Sequence, residues 1–266
     1  IAGGASKSQD TVRIGLAETL LARLDELPDR PNDPQTLVQR ARVLTSLSSV
    51  LLERRDTQAS LDLRTEALDL IARACELEPA SAELQNDLRV ARIRLGDALA
   101  VADRSDEALA EYEAVHESLL AAVDAAPASI RLRDDLGWSY ERLTPFALSR
   151  SHAEAIALCE RRLALTEALA AEDPTSTGRL FGVACAQSWC AKVKLAENDP
   201  DAALAYATSA VDRLADVVER DPGRFAYRAR QVIGLRLMVV AMHAKRDPDT
   251  AAMIDVAERS AKALYD

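Results

Sequence analysis

"LGDALAVADRSDEALAEYEAV", residues Leu95–Val115, decides how this chain is read. A polar break, "DRSDE" at 103–107, separates two apolar runs. After the break, Ala108, Tyr112, Val115 and Leu119 recur at helical spacing and fall on one face of a helix. The stretch therefore reads as helix, tight break, helix.

The same unit recurs along the chain. Short turns carry Pro34, Pro79, Pro127, Pro174 and Pro222, at steps of 45, 48, 47 and 48 residues. A second marker is the alanine series Ala59, Ala108, Ala155, Ala203 and Ala251, at steps of 49, 47, 48 and 48. Two independent features sharing one phase define a repeat of about 48 residues. Each unit reads as a first helix after its proline, then a polar break (54–58, 103–107, 149–152, 197–201 and 245–249), then a second helix. Proline ends each second helix. Ser81, Ser129 and Ser176 stand two residues after a proline, where they are expected to cap the next helix. Pro200 and Pro248 are expected in the first turn of second helices, where a missing N–H costs little. Before Pro34 there is one helix, Gln9 to Glu26, matching the second half of a repeat. The expected organisation is a flexible segment over 1–8, a leading helix within 9–30, and five hairpins over 35–266 in one continuous array of about eleven helices.

Composition agrees with an all-α chain. Of 266 residues 48% are hydrophobic but only 4% aromatic, and there are only nine glycines. A core built on Ala and Leu favours helices over sheets. The net charge of -10 argues against nucleic acid as the main partner, because phosphate backbones need a basic patch. No run of 18 apolar residues exists to span a membrane. "IAGGASKSQD" lacks the layout of a signal peptide and an initiator Met, and reads as a cut or processed chain. Cys75, Cys159, Cys185 and Cys190 form no short paired framework; they read as free buried thiols of a reducing cytoplasm.

Leu95, Gly96, Leu99, Ala108, Tyr112 and Val115 resemble the framework positions of the tetratricopeptide repeat (TPR). Gly96 and Ala108 leave room where two helices cross, and Leu95, Leu99 and Tyr112 fill the adjoining grooves. The resemblance covers residues 35 to 266 and implies a right-handed α-solenoid of antiparallel hairpins. The repeat is about two helical turns longer than the usual one, a long-helix variety. The Gly96 position is held by Ser48, Thr144, Ala191 and Val239 in the other units, and Pro145 inside a first helix predicts a kink. Long arrays of this kind resemble those beside TIR, kinase, caspase-like or NTPase modules in bacterial signalling and defence proteins. No such module is present in this sequence.

The most chemically suggestive stretch is "RLRDDLGWSYERL", 131–143. Asp134 and Asp135 stand one period after Asn86 and Asp87, so the pair reads as the first turns of a repeated helix, where carboxylates suit the dipole. A helical metal-dependent enzyme needs further aspartates on one face, and none follows. His116, His152 and His243 are far apart, Cys185 and Cys190 face different sides of one helix, and no nucleophile–base pair or phosphate loop appears. Neither a cofactor nor a metal is expected.

A solenoid exposes a concave face lined by first helices. The resemblance places Arg42, Thr45, Ser49, Ile93, Asp97, Trp138, Glu141, Ser188, Lys192, Arg236 and His243 on it. Trp138, in an aromatic-poor chain, reads either as a partner anchor or as a filler between units. Arg42, Lys192 and Arg236 suit an acidic peptide or a chain carboxylate. The favoured reading is a scaffold module binding a protein or peptide partner, without enzymatic activity. A second reading is a ligand-sensing regulatory domain whose effector lies upstream, to which the N-terminal half repeat points. A third, less favoured, is a helical enzyme. The final "MIDVAERSAKALYD" lacks a separate capping helix, which suits homo-association.

Overall fold

The computed structural model describes residues 33–264, together with Val12, Gly15, Thr19 and Ala22. Those four are helical, and the Thr19 hydroxyl donates to the Gly15 carbonyl at 2.7 Å. The rest of the expected leading helix and the segment 1–8 lie outside the described residues.

Ten helices and no strand are found among the described residues. They are α1 (Pro34–Glu53), α2 (Thr57–Leu77), α3 (Ala82–Val101), α4 (Ser105–Ala125), α5 (Ile130–Arg150), α6 (His152–Glu172), α7 (Thr177–Ala196), α8 (Pro200–Arg220), α9 (Phe225–Lys245) and α10 (Thr250–Lys262). They form the five hairpins expected from the period. Two compact units are distinguished, one up to Ser118 and one from Leu119. In the first, α2 packs on both α1 and α3. In the second, each helix from α5 to α10 packs on the next, and the first helices also touch: α5 meets α7, and α7 meets α9.

Local chemistry explains the boundaries. Ser81, Ser129 and Ser176 each accept the N–H three residues on, at 3.4 Å, as expected of caps. Asp33, Asp56, Ser151 and Asp199 do the same for α1, α2, α6 and α8. In four hairpins the first helix ends on a left-handed residue: Arg55, Asp103, Asn198 and Arg246. The N–H that follows each reaches back five residues, to Leu51, Leu99, Lys194 and Met242, at 2.9 Å. This Schellman closure satisfies carbonyls that the helix end would strand. The third hairpin lacks it. Ser151, extended at φ -153°, is the single residue between α5 and α6. The 47-residue step in both sequence markers is this missing left-handed residue.

Several expectations need correction. First helices begin at 34, 82, 130, 177 and 225, so Pro34, at the first helical position, is the counterpart of Ala82 and not of Pro79. That mismatch accounts for the odd 45-residue step. The buried small residue of α2 is Ser60, not Ala59. Ser60, Ala108, Ala155 and Ala203 are all 0% exposed, and Ser60 lies one full period before Ala108. Ala251 is exposed in the last helix, along with Ile254 and Val256. Pro248 lies in the turn before α10 rather than within it; the Asp247 carboxylate accepts the Asp249 N–H at 2.9 Å and holds that turn open. Pro145 sits inside α5, which runs unbroken from Ile130 to Arg150.

The four cysteines are buried free thiols. Cys190 shares a core cluster with Cys159 of the neighbouring helix, together with Ala147, Ala155 and Val193. The neighbouring Cys159 thiol first, and burial second, hold the Cys190 thiol protonated. Burial pushes Cys185 up to about 11.

The Gly96 reading has a direct measure. A β-carbon there would lie 2.7 Å from Tyr112 Cε1. The ring is buried, and its hydroxyl donates to Asp97 at 2.7 Å, so it cannot swing aside. We expect Gly96→Ala to lower stability by about 1–3 kcal/mol despite alanine's higher helix propensity, as measured by urea unfolding.

Candidate functional site

The candidate site lies in the second unit, where α5, α6 and the start of α7 leave a cleft of about 310 Å³. Helical periodicity places its walls. Asp134, Gly137 and Trp138 come from successive turns of α5; Arg162, Thr166 and Leu169 from one face of α6; Gly178, Arg179, Phe181 and Gly182 from the first turns of α7. Ser176, the α7 cap, closes one edge.

Trp138 is 48% exposed and lies in this cleft, its ring 5.5 Å from the Arg162 guanidinium. It is thus both open to solvent and set against a neighbouring helix. Arg162 is 2% exposed. Its Nη2 pairs with Glu141 of α5. Its Nε and Nη1 are buried and have no acceptor among the described residues. Glu141 also faces Arg230 of α9 at 3.9 Å.

The cleft rim is charged as well. Arg179 donates to the Leu169 carbonyl at 3.0 Å and stands 4.0 Å from Asp173. Arg133 and Glu172 form a two-bond pair at 2.5 and 2.8 Å. Asp134 is exposed, but partial desolvation against the cleft wall pushes its carboxyl above the usual aspartate range, against the pull of Arg179 and Arg133. Beyond Glu141, Lys192 stacks on Trp189 at 4.1 Å. Burial first, and Arg230 second, lower its ammonium from the ordinary lysine value.

The residues proposed from sequence separate into groups. Thr45 and Ser188 are buried, and their hydroxyls donate to the carbonyls of Ala41 and Ala184 one turn back, so neither offers a surface to a partner. Ser49, half-buried, donates to the Thr45 carbonyl. Arg42 is exposed but reaches Asp87 at 3.2 Å and Glu83 at 4.0 Å, tying α1 to α3. Asp97 accepts the Tyr112 hydroxyl, and Ile93 is half-buried. In the second unit Trp138 and Glu141 stand on α5, Lys192 on α7, and Arg236 and His243, both exposed, on α9. Asp134 and Asp135 stand side by side on α5, and among the described residues no group of three or more His, Cys, Asp or Glu side chains converges. Arg162 was missed because it lies on a second helix. Its one sequence signal is an arginine on the packing face of α6, seven residues after Ala155 and three after Cys159.

No protein-family model matches the sequence, and no curated protein matches it. Among solved structures, the chain is similar to BtubC (BKLC) from P. vanneervenii, with a TM-score of 0.67 and 18% identity over 96% of this chain and 92% of that one. Two further structures match at TM-scores of 0.37 and 0.31, each with 16% identity. One is YrrB, described as a TPR protein with an unusual peptide-binding site; it covers 90% of this chain and 98% of its own. The other is the C-terminal part of a TPR repeat-containing protein from Cytophaga hutchinsonii, at 98% and 94%. The fold shared with BtubC is a tandem series of antiparallel helix hairpins, and hairpins are what the 48-residue period implied.

Two variants test the electrostatics. Glu141→Gln strips Arg162 of its carboxylate in a buried place and is expected to cost about 3 kcal/mol, with recovery in the Glu141→Leu/Arg162→Met double variant. Asp134 has a raised folded value, so the folded chain favours its protonated form and loses stability as pH rises through that value. Asp134→Asn should therefore be more stable than the parent at neutral pH, with the difference closing below the ordinary aspartate range. Thermal melts across pH check both.

Proposed function

We propose that the protein is an interaction module that binds a protein or peptide partner on the first-helix face of its second unit. One observation carries the reading: Trp138, in an aromatic-poor chain, is 48% exposed at the mouth of a cleft and stands over a buried arginine. Aromatic and arginine anchors in partly desolvated pockets dominate binding energy at protein interfaces. Adjoining first helices add Lys192, Arg236 and His243, which extend the face along α7 and α9. The helical-hairpin fold supports the reading, because such repeats present extended surfaces rather than catalytic pockets. No described helix is long and apolar enough to cross a membrane.

The test is a titration with a partner recovered by affinity capture. Trp138→Ala and Arg236→Ala are expected to weaken binding about tenfold or more, each with an unchanged circular dichroism spectrum. Unaltered affinity in both variants would remove this face from the interaction.

A further inference from the structure

The described glycines fall into distinct kinds. A β-carbon at Gly96 or Gly234 would come within 2.7 or 2.9 Å of a neighbouring side chain, so close helix packing requires both. Gly137, Gly178 and Gly182 answer to no such need. A β-carbon there would meet nothing nearer than 3.8, 3.8 and 3.9 Å, and none of the three has a positive φ. All three stand in helices, where glycine is the least favoured residue after proline. All three line the same cleft. Their common effect is to keep its walls low.

Arg162 supplies the second, independent observation. Two of its three nitrogens, Nε and Nη1, are buried without an acceptor, in a side chain 2% exposed that lines this cleft. A buried guanidinium leaves N–H groups unmatched only at considerable cost. The charge around it is unbalanced as well. Arg162 and Arg230 share Glu141, and Arg179, 4.0 Å from Asp173, stands at the cleft edge. Among the residues that line the cleft, two arginines, Arg162 and Arg179, meet one carboxylate, Asp134, in a chain of net charge -10. The positive end of the α7 dipole, at Ser176 and Gly178, adds to the positive charge there. Trp138, Phe181 and Leu169 give the remaining wall an apolar character.

We infer that the cleft is a carboxylate-recognition site for the partner peptide: an acidic group accepts the free N–H groups of Arg162, and an adjoining apolar side chain rests on Trp138 and Phe181. This rests on the interaction-module reading and names the chemistry that the partner presents. A singly charged carboxylate fits better than a dianion, because Asp134 and Glu141 already offset part of the positive charge. Side-chain carboxylates and the free C-terminus of a chain share this chemistry, and the test separates them.

Random heptapeptides, displayed in one set with free and in another with blocked C-termini, are selected against the full chain. Enriched peptides are expected to carry Asp or Glu beside an apolar residue if the side chain is recognised; enrichment confined to the free-terminus set points to the terminal carboxylate. Replacing the acid by its amide, or amidating the terminus, should weaken binding at least tenfold by fluorescence polarisation. Arg162→Met should cause a similar loss. Gly182→Ala should also do so while its melting temperature holds or rises, which separates a filled site from a lost fold. Asp134→Asn should tighten binding. Peptides without acidic preference, or with affinity unmoved by Gly182→Ala, overturn the cleft assignment and leave the interaction module standing. Absence of any enriched peptide overturns both.

Discussion

Everything in this fold depends on how closely two helices approach at one point of each hairpin. The point is set by a pair of small residues eleven or twelve positions apart. The pairs are Ser48 with Ser60, Gly96 with Ala108, Thr144 with Ala155, and Ala191 with Ala203, and all eight residues are buried. Ser60 even bonds its hydroxyl to the Ser48 carbonyl at 2.8 Å. A larger side chain there separates the helices and strips contacts from the aliphatic rows on either side, since packed interiors have little room to give. Helix lengths, caps and turns keep one period because each must return the chain to this crossing in register. In the fifth hairpin Val239 and Ala251 hold the equivalent positions and neither is buried.

The third hairpin departs from the pattern most. It has lost the left-handed turn residue, and Pro145 removes an N–H that would otherwise bond to the Glu141 carbonyl one turn earlier. Its crossing position is threonine, whose hydroxyl donates to the Tyr140 carbonyl at 2.8 Å. In this hairpin α5 carries Trp138, Glu141 and the cleft-lining Gly137, and α6 carries Arg162. Local rules of the repeat are relaxed where the chain assembles its only described combination of exposed aromatic, buried cation and unforced glycine. The cleft proposed for recognition lies where the repeat departs from its own rules, as functional sites commonly do.

Much of the fold was legible because it is periodic. Serine caps, polar breaks and turn prolines are local signals, each read within one or two turns of chain. The errors were of phase and burial. Pro34 stands three positions and Ala59 one position off register, which a type-based ruler tolerates and a helix does not. The resemblance placed Thr45, Ser188, Asp97 and Arg42 on the binding face. The hydroxyls of Thr45 and Ser188 instead serve their own helix, and Asp97 and Arg42 are engaged by Tyr112, Asp87 and Glu83 from neighbouring ones. Which polar groups are already satisfied is a property of the packed neighbours, not of spacing.

By itself, then, the sequence determined that the chain is helical, that its helices pair in hairpins, and that the hairpins repeat near every 48 residues. These follow from apolar period, capping chemistry and chain-breaking residues, all local. Only the tertiary structure decided that Arg162 is buried, that two of its nitrogens lack protein acceptors, and that Gly137, Gly178 and Gly182 converge on one cleft with Trp138. Those residues come from three helices and 46 positions of chain. Burial and convergence are set by which helices touch and at what register, and no local pattern carries that information.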